Sequence, residues 1–518
     1  MDVQVTATVE VAEGRLKGRL AHGIESFLGV PFAAPPVGDL RFRAPRPAVP
    51  WAGVREASAF GPEAPQDPSG SGSFLGVSGA PESEDCLTLN IWRPADTAGE
   101  ALPVMVFIHG GGFSYGSAVH PCYDGSSLAR EGRAIVVTIA YRLGVLGLLW
   151  HPCLKDEDEL YEGNFAMQDQ LAGLRWVHDN IAAFGGDPQN VTIFGESAGG
   201  VSVALHCVAP ASRPYFQRAV VQSGAPMPVP REQHLAGAEA FLKAAGIPAE
   251  AESLRALTVE QIVAAQTVWI ETVGAGRPAA RPMLDGALIP DWPNAIAGSG
   301  ATQWLDLMVT SNRDEFTLFS RRVPADKRPA DDAALARILE GAKLPVSLIA
   351  SYREAREGRG EAADTLSLWL AMMADRSIRV PSLLFLERHV ANGGRGYAGA
   401  VTWGSAEPAS HLDGRPYGAT HTAELPPLFG TCDATPQLRK VAGDSRTAAG
   451  ASQTMQQIWT SFARTGEPAA AGVEACPSFA APGFATMVIG ETATIADDPW
   501  GAERKAMQAA MLENGELN

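Results

Sequence analysis

The sequence predicts an α/β architecture, a large, mostly parallel central sheet flanked by helices, and three observations carry the prediction. Continuous apolar runs such as Leu102 to His109, Ala134 to Ala140 and Arg218 to Gln222 alternate with helical periodicities, as expected of strands buried on both faces. A β-branched run, Val191-Thr192-Ile193-Phe194, passes through Gly195-Glu196-Ser197-Ala198-Gly199 into a helix-compatible stretch, Ala198 to Ala209. A second glycine cluster, His109-Gly110-Gly111-Gly112-Phe113, closes another of the apolar runs.

Val3 to Val11 alternates as a hairpin arm, and Phe27 to Pro31 is a strand ended by proline. Pro31 to Pro50 is proline-rich and therefore extended or turning. Residues 66–83, rich in Gly, Ser and Pro, read as a long cover loop. Met167 to Phe184 is an amphipathic helix, with Leu171, Leu174, Trp176 and Ile181 among its apolar positions. Leu305 to Thr310 and Tyr397 to Trp403 are later strands, and Thr447 to Thr465 is a helix closed by Gly466. Segments 230–300 and 324–390 interrupt the strand series with mainly helical patterns. They are expected to pack over the carboxyl ends of the strands, where open α/β sheets bind ligands. A chain of 518 residues could hold several domains, but one continuous sheet predicts a single domain, 1–518.

Charge and composition narrow the partners. With 58 acidic and 41 basic residues the net charge is −17, which disfavours nucleic acid and anionic membrane surfaces. No stretch reaches the ~18 apolar residues of a membrane span, and the first twenty residues lack a signal-type apolar run, so a cytoplasmic location is expected. The six cysteines are scattered without a C-x-x-C pair, and the ten histidines form no H-E-x-x-H. Neither a disulfide framework nor a metal is expected, and no cofactor. The oligomeric state stays open.

A G-x-S-x-G turn between strand and helix lifts a serine hydroxyl to the top of a sheet. The hydroxyl is a poor nucleophile until a histidine takes its proton and an acid orients that histidine. In the chain order Ser, acid, His, the acid follows a later strand. Asp314 and Glu315 both qualify, behind Leu305 to Thr310. After Tyr397 to Trp403 stand His411 and His421. The small residues Gly418-Ala419-Thr420 before His421 favour it over His411, which sits in a turn-like Ser410-His411-Leu412-Asp413-Gly414.

Further segments carry a resemblance across nearly the whole chain. They include Phe27 to Ala33 with Pro35 to Gly38, Ser83 to Asn90, His109 to Phe113, Tyr141 to Gly144, and Asn180 to Pro188 leading into the serine turn. Gln222-Ser223-Gly224, Asn312 to Glu315, His421 to Gly430 and Trp459 to Gly466 complete the series. In this order they resemble the type-B carboxylesterase family, which includes cholinesterases and bacterial para-nitrobenzyl esterases. The resemblance implies an α/β-hydrolase fold whose helical insertions, 230–300 and 324–390, form a substrate gorge. It implies Ser197 as nucleophile, Glu315 rather than Asp314 as acid, and His421 as base. Gly111, Gly112 and Ala198 would supply oxyanion N–H groups, and Glu196 and Ser223 would stand beside the triad. Phe113, next to the glycines, is expected to line the acyl side.

The chain departs from the family in places. The region matching the early cysteine of secreted cholinesterases, Ala59 to Gln66, has none, so Cys86 is expected to be a free thiol. No tryptophan stands in 66–83, where cholinesterases hold choline, so a quaternary ammonium substrate is disfavoured; Phe74 and Leu75 are the loop's only sizeable apolar residues. The implied activity is carboxylic ester hydrolysis through an acyl-enzyme, on a small to medium uncharged ester. The alternatives are carbamate or amide hydrolysis by the same triad and a non-catalytic interaction module.

Overall fold

Twelve strands follow one another across a single sheet in the spatial order Gln4–Val11, Gly14–Ala21, Ile24–Pro31, Thr88–Pro94, Ile135–Ile139, Leu102–Ile108, Gly186–Glu196, Arg218–Gln222, Asp306–Asn312, Arg395–Val401, Ala485–Ile489 and Ala493–Asp497. A thirteenth, Val54–Glu56, pairs with Gly14–Ala21. The computed structural model describes residues 4–66, 74–97, 99–273, 280–443, 445–473 and 475–517. The strands from Ile135–Ile139 through Ala485–Ile489 pair in parallel. The amino-terminal strands and the last one add antiparallel edges.

The parallel block is buried on both faces because alternate side chains feed two cores. Val104, Val106 and Ile108 join Val191 and Ile193 on one face. Met105, Phe107 and Phe194 join Phe429 and Trp459 on the other. Phe107 lies 5.0 Å from both Phe194 and Phe429, ring centre to ring centre. This double packing fixes the carboxyl ends of the central strands, from which the expected chemical residues project.

Helices occupy the segments read as insertions. Arg231–Ala245 and Val259–Val273 bury Phe241 and Trp269 in the first core. Asp332–Gly341, Leu348–Gly358, Thr365–Ala374 and Val380–Ala391 instead form a core of their own with the last helix, Gly501–Glu513, through Leu335, Tyr352, Trp369, Met507 and Met511. The serine strand is longer than its apolar run, spanning Gly186–Glu196. Residues 67–73 of the expected cover loop lie outside the described residues, while Phe74 and Leu75 are buried. All six cysteines are free thiols. Among the described residues no helix is long and apolar enough to cross a membrane, and no cluster of metal-ligating side chains occurs.

Candidate active site

Ser197 links the strand Gly186–Glu196 to the helix Ala198–Val208 with φ 57° and ψ −121°, a conformation that costs a residue bearing a Cβ of order 1–3 kcal/mol. The surroundings hold it there. Its N–H donates to the Gln222 carbonyl at 3.0 Å, and its carbonyl accepts from the Val201 N–H at 2.8 Å. Helix and strand approach so closely that a Cβ on Gly199 would collide with the Ile108 carbonyl.

The acid and the histidine meet where two later strands end. Glu315 follows Asp306–Asn312 and is wholly buried. Its Oε1 accepts from Ser223 Oγ at 2.6 Å and from the Asn312 N–H at 2.8 Å. Its Oε2 lies 2.7 Å from His421 Nδ1, which assigns that nitrogen as donor and leaves Nε2 as the nitrogen that can accept a proton. Asp314 points elsewhere: its Oδ2 accepts from the Ala419 N–H at 2.9 Å and pairs with Arg313. His411 is held by Ser320 Oγ and the Thr317 carbonyl, both at 3.0 Å. The structure therefore brings Glu315 to His421, and neither Asp314 nor His411 to the serine turn.

Ser197 and His421 line one cavity, but no hydrogen bond joins them. His421 Nε2 instead lies 3.1 Å from Glu196 Oε1, outside hydrogen-bonding geometry, and both atoms are buried without a partner among the described residues. Burial alone would lower the imidazole pKa. Glu196, Glu315 and Glu424 outweigh it and raise His421 to about 9. Burial, reinforced by Glu424 and Glu315 and opposed by His421, pushes the Glu196 carboxyl well above its usual range. Burial also raises Glu424, against a 2.6 Å hydrogen bond from Asn312 Nδ2; Gln222 Nε2 donates to its other oxygen at 3.2 Å. Sequence reasoning gave Glu424, Asn312 and Gln222 no role. The only signal for Glu424 is its place in His421-Thr422-Ala423-Glu424-Leu425-Pro426.

The glycine loop stands opposite. Gly111 has φ 116° and Gly112 φ 59°, and a Cβ on Gly111 would strike the Tyr115 carbonyl. The Gly111 carbonyl accepts from the Ser114 and Tyr115 N–H groups at 3.0 Å each, whereas the Gly111 and Gly112 N–H groups find no acceptor among the described residues. Ala198 heads its helix, where N–H groups lack intrahelical partners. Beneath the loop, burial pushes His109 down to about 4, and its ring stacks on Tyr141 at 4.3 Å.

Residues 5–499 match the family model described as the Carboxylesterase family. The chain belongs to the carboxylesterase family. The para-nitrobenzyl esterase of Bacillus subtilis is 34% identical, covering 95% of this chain and 97% of the relative. The phenmedipham hydrolase of Pseudarthrobacter oxydans is 36% identical, over 94% and 95%. Among solved structures, a Geobacillus stearothermophilus carboxylesterase superimposes with a TM-score of 0.84 at 34% identity, covering 97% of this chain and all of that one. The protein is thus an α/β-hydrolase and a serine-type carboxylic ester hydrolase.

The cavity of this carboxylesterase has a volume of about 280 Å³. Ser197, His421, Gly110 and Gly111 form its floor, with Phe74, Leu75, Leu318 and Phe319 as apolar walls. The Phe319 ring lies 4.7 Å from the imidazole. Two sequence expectations are corrected here. Phe113 is not on the wall; its positive φ of 57° turns the side chain into the core beside Tyr141. No described residue of 230–300 or 324–390 lines this cavity either. Its lining comes from 63, 66, 74–79 and 82, from 110–123, from the serine turn, and from 318–322 and 421–422.

Proposed function

We propose that Ser197 is the nucleophile of ester hydrolysis, His421 its general base and Glu315 the acid that orients the imidazole. Ser197 Oγ attacks the ester carbonyl while His421 Nε2 takes its proton. The developing oxyanion receives N–H groups from Gly111, Gly112 and Ala198, each donor typically worth roughly 10²–10³ in rate. His421 then returns the proton to the leaving alkoxide, and an acyl-enzyme remains. Water repeats the cycle, releasing the acid and restoring the serine. Glu315 stabilises the imidazolium through both halves.

The observation that carries this reading is the 2.7 Å bond from His421 Nδ1 to Glu315 Oε2, with Ser223 and Asn312 occupying the other carboxylate oxygen. The acid cannot rotate away without breaking three hydrogen bonds. The serine–histidine contact closes when substrate fills the cavity; catalytic hydrogen bonds are often long before that. Glu196 and Ser223 act through the imidazole and the acid rather than on substrate.

Phe74, Leu75, Leu318 and Phe319 support an ester of small to medium size with an apolar portion. Six free thiols and the lack of a membrane-crossing helix among the described residues support a cytoplasmic location. The test is turnover of p-nitrophenyl butyrate. Wild-type protein should release nitrophenol in a burst followed by steady turnover, and Ser197→Ala should do neither. Equal rates from the two proteins would refute the assignment.

A further inference from the structure

We propose that Gln66, which opens the expected cover loop, is a positioning residue of the oxyanion site: its carboxamide braces the loop from Gly110 to Gly116 in the shape that aims the Gly111 N–H. The inference rests on the oxyanion reading above and adds to it a residue from outside the glycine cluster.

A peptide unit is planar, so whatever holds its carbonyl also aims the N–H at its other end. The Gly112 N–H shares a unit with the Gly111 carbonyl, which the Ser114 and Tyr115 N–H groups hold from within the loop. The Gly111 N–H shares a unit with the Gly110 carbonyl. That carbonyl accepts from His109 Nδ1 at 2.8 Å, and beyond this bond it is held by contact. Gly116, with φ 102°, sets its α-carbon against the carbonyl so closely that a Cβ there would collide with the oxygen. The Tyr115 carbonyl abuts the α-carbon of Gly111 in the same way. The two peptide units that meet at Gly116 are therefore the backing against which the unit 110–111 rests.

Gln66 pins both of those units. Its Oε1 accepts from the Gly116 N–H at 2.8 Å, and its Nε2 donates to the Gly116 carbonyl at 3.1 Å. Among the described residues no other hydrogen bond reaches either Gly116 group. The side chain thus imitates an adjoining β-strand, and the pairing distinguishes the amide oxygen from the nitrogen. Nε2 also donates to the Ala64 carbonyl at 3.1 Å. The base beneath is tied down as well. The Gln66 N–H donates to Glu82 Oε2 at 3.3 Å. The two arms of the cover segment are bridged by the Glu63 N–H on the Pro81 carbonyl at 3.0 Å and the Ser83 N–H on the Glu63 carbonyl at 2.9 Å. Gln66, Gly111 and Gly116 all line the cavity that holds Ser197. An oxyanion donor gains its effect from being in place before charge develops, and a support of this kind keeps it there.

A residue that only fastened the cover segment would alter substrate binding, whereas one that aims an oxyanion donor alters the transition state. Two ketones separate the roles. Ser197 adds to hexyl trifluoromethyl ketone: an Oγ–C bond forms, the serine proton passes to His421, and the carbonyl π pair becomes an oxyanion. Hexyl methyl ketone carries the same chain and stays a ketone. In Gln66→Ala the preference for the trifluoromethyl ketone, read as the ratio of inhibition constants, should fall about tenfold or more. The kcat for ethyl butyrate should fall by a similar factor, with KM altered by less than about threefold. Gln66→Glu tests the pairing itself. An ionised carboxylate sets an acceptor against the Gly116 carbonyl, but a protonated carboxyl offers one acceptor and one donor, as the carboxamide does. The kcat of this variant relative to wild type should therefore rise as the pH is lowered from about 9 to about 5.5. The isosteric variant keeps the test open should Gln66→Ala fail to fold. Ketone preference and kcat within about twofold of wild type in both variants, a loss confined to KM and methyl ketone binding, or a relative kcat that does not rise toward acid pH overturns the role of Gln66 and leaves ester hydrolysis standing. Wild-type protein that binds the two ketones equally well overturns the oxyanion reading together with it.

Discussion

Replacing Glu196 by glutamine should move the pH dependence of the reaction, and the structure sets both direction and size. A general base must be neutral to accept the serine proton. With His421 raised to about 9, wild-type kcat/KM should climb toward pH 9 and fall tenfold for each unit below it. A full negative charge at the observed 3.1 Å from Nε2 contributes about 5 kcal/mol at an effective dielectric of about 20, or about 4 pK units. The burial that pushes this carboxyl well above its usual range opposes its ionisation, so its contribution is smaller than that figure. Glu315 and Glu424 remain in the variant. The midpoint of the acid limb should therefore drop by at least about one unit, toward the ordinary histidine value. At neutral pH the variant should lie closer to its own plateau than wild type does. The assay is kcat/KM for ethyl butyrate in a pH-stat between about pH 5.5 and 10, which avoids the alkaline self-hydrolysis of aryl esters. A wild-type midpoint already near 6.5, or a midpoint that stays in place in Glu196→Gln, would refute the reasoning.

Other predictions follow from single contacts. Glu315→Gln should lower kcat by roughly 10³–10⁴, because an amide facing Nδ1 favours the wrong tautomer; circular dichroism should remain unchanged. Ser223→Ala removes the 2.6 Å bond to Glu315 Oε1 and should cost about 1.5–3 kcal/mol of transition-state stabilisation, read as about a tenfold or greater loss of kcat with KM little altered. Gly111→Ala should abolish turnover while leaving the protein folded, since its Cβ collides with the Tyr115 carbonyl and displaces the proposed oxyanion loop. Asp169→Asn strands Arg142, whose Nε and Nη2 donate to the carboxylate at 2.8 and 2.7 Å in the core, and should destabilise by about 3–5 kcal/mol in denaturant unfolding.

The parts of the fold that are legible in the sequence are those whose side chains are apolar on both faces. Leu102–Ile108, Ile135–Ile139 and Arg218–Gln222 lie almost where their runs predict, because central parallel strands meet only core. Gly14–Ala21 and Ala493–Asp497, near or at the sheet edges, escape notice. They bury little, and their pairing partners rather than their own composition make them strands. The helix Gly501–Glu513 is missed for a related reason: its apolar face is completed by Leu335, Tyr352 and Trp369 from an insertion more than a hundred residues earlier. At the site, the serine turn declares itself because its glycines are demanded by backbone collisions, which are local. The choice between Asp314 and Glu315 is not local. Neighbouring side chains diverge at a turn: residue types alone leave both open, the family resemblance points to Glu315, and the structure sets the Ala419 N–H on Asp314 and His421 on Glu315. Phe113 fails for the same reason, since adjacency to the glycines says nothing about side-chain direction at a positive φ.

Three buried carboxylates around one imidazole call for a division of labour, and the hydrogen-bond supply provides it. Glu315 receives two donors on one oxygen and the imidazole on the other; Glu424 receives Asn312 on one oxygen and Gln222 on the other. Glu196 Oε1 receives none among the described residues. Donors stabilise the anion, so Glu196 is the carboxyl whose proton is most readily exchanged against that of His421. The two glutamines should therefore behave differently. Glu424→Gln presents an amide where two donors expect acceptors, leaving at least one buried N–H unsatisfied, and should lose about 1–3 kcal/mol of folding stability with a smaller shift of the acid limb. Glu196→Gln disturbs no existing hydrogen bond at Oε1 and should move the acid limb with little change in stability. Urea unfolding and pH–rate profiles of the two variants, taken side by side, decide the matter: equal stability losses, or the larger pH shift in Glu424→Gln, would mean that the proton is not shared where the hydrogen bonds place it.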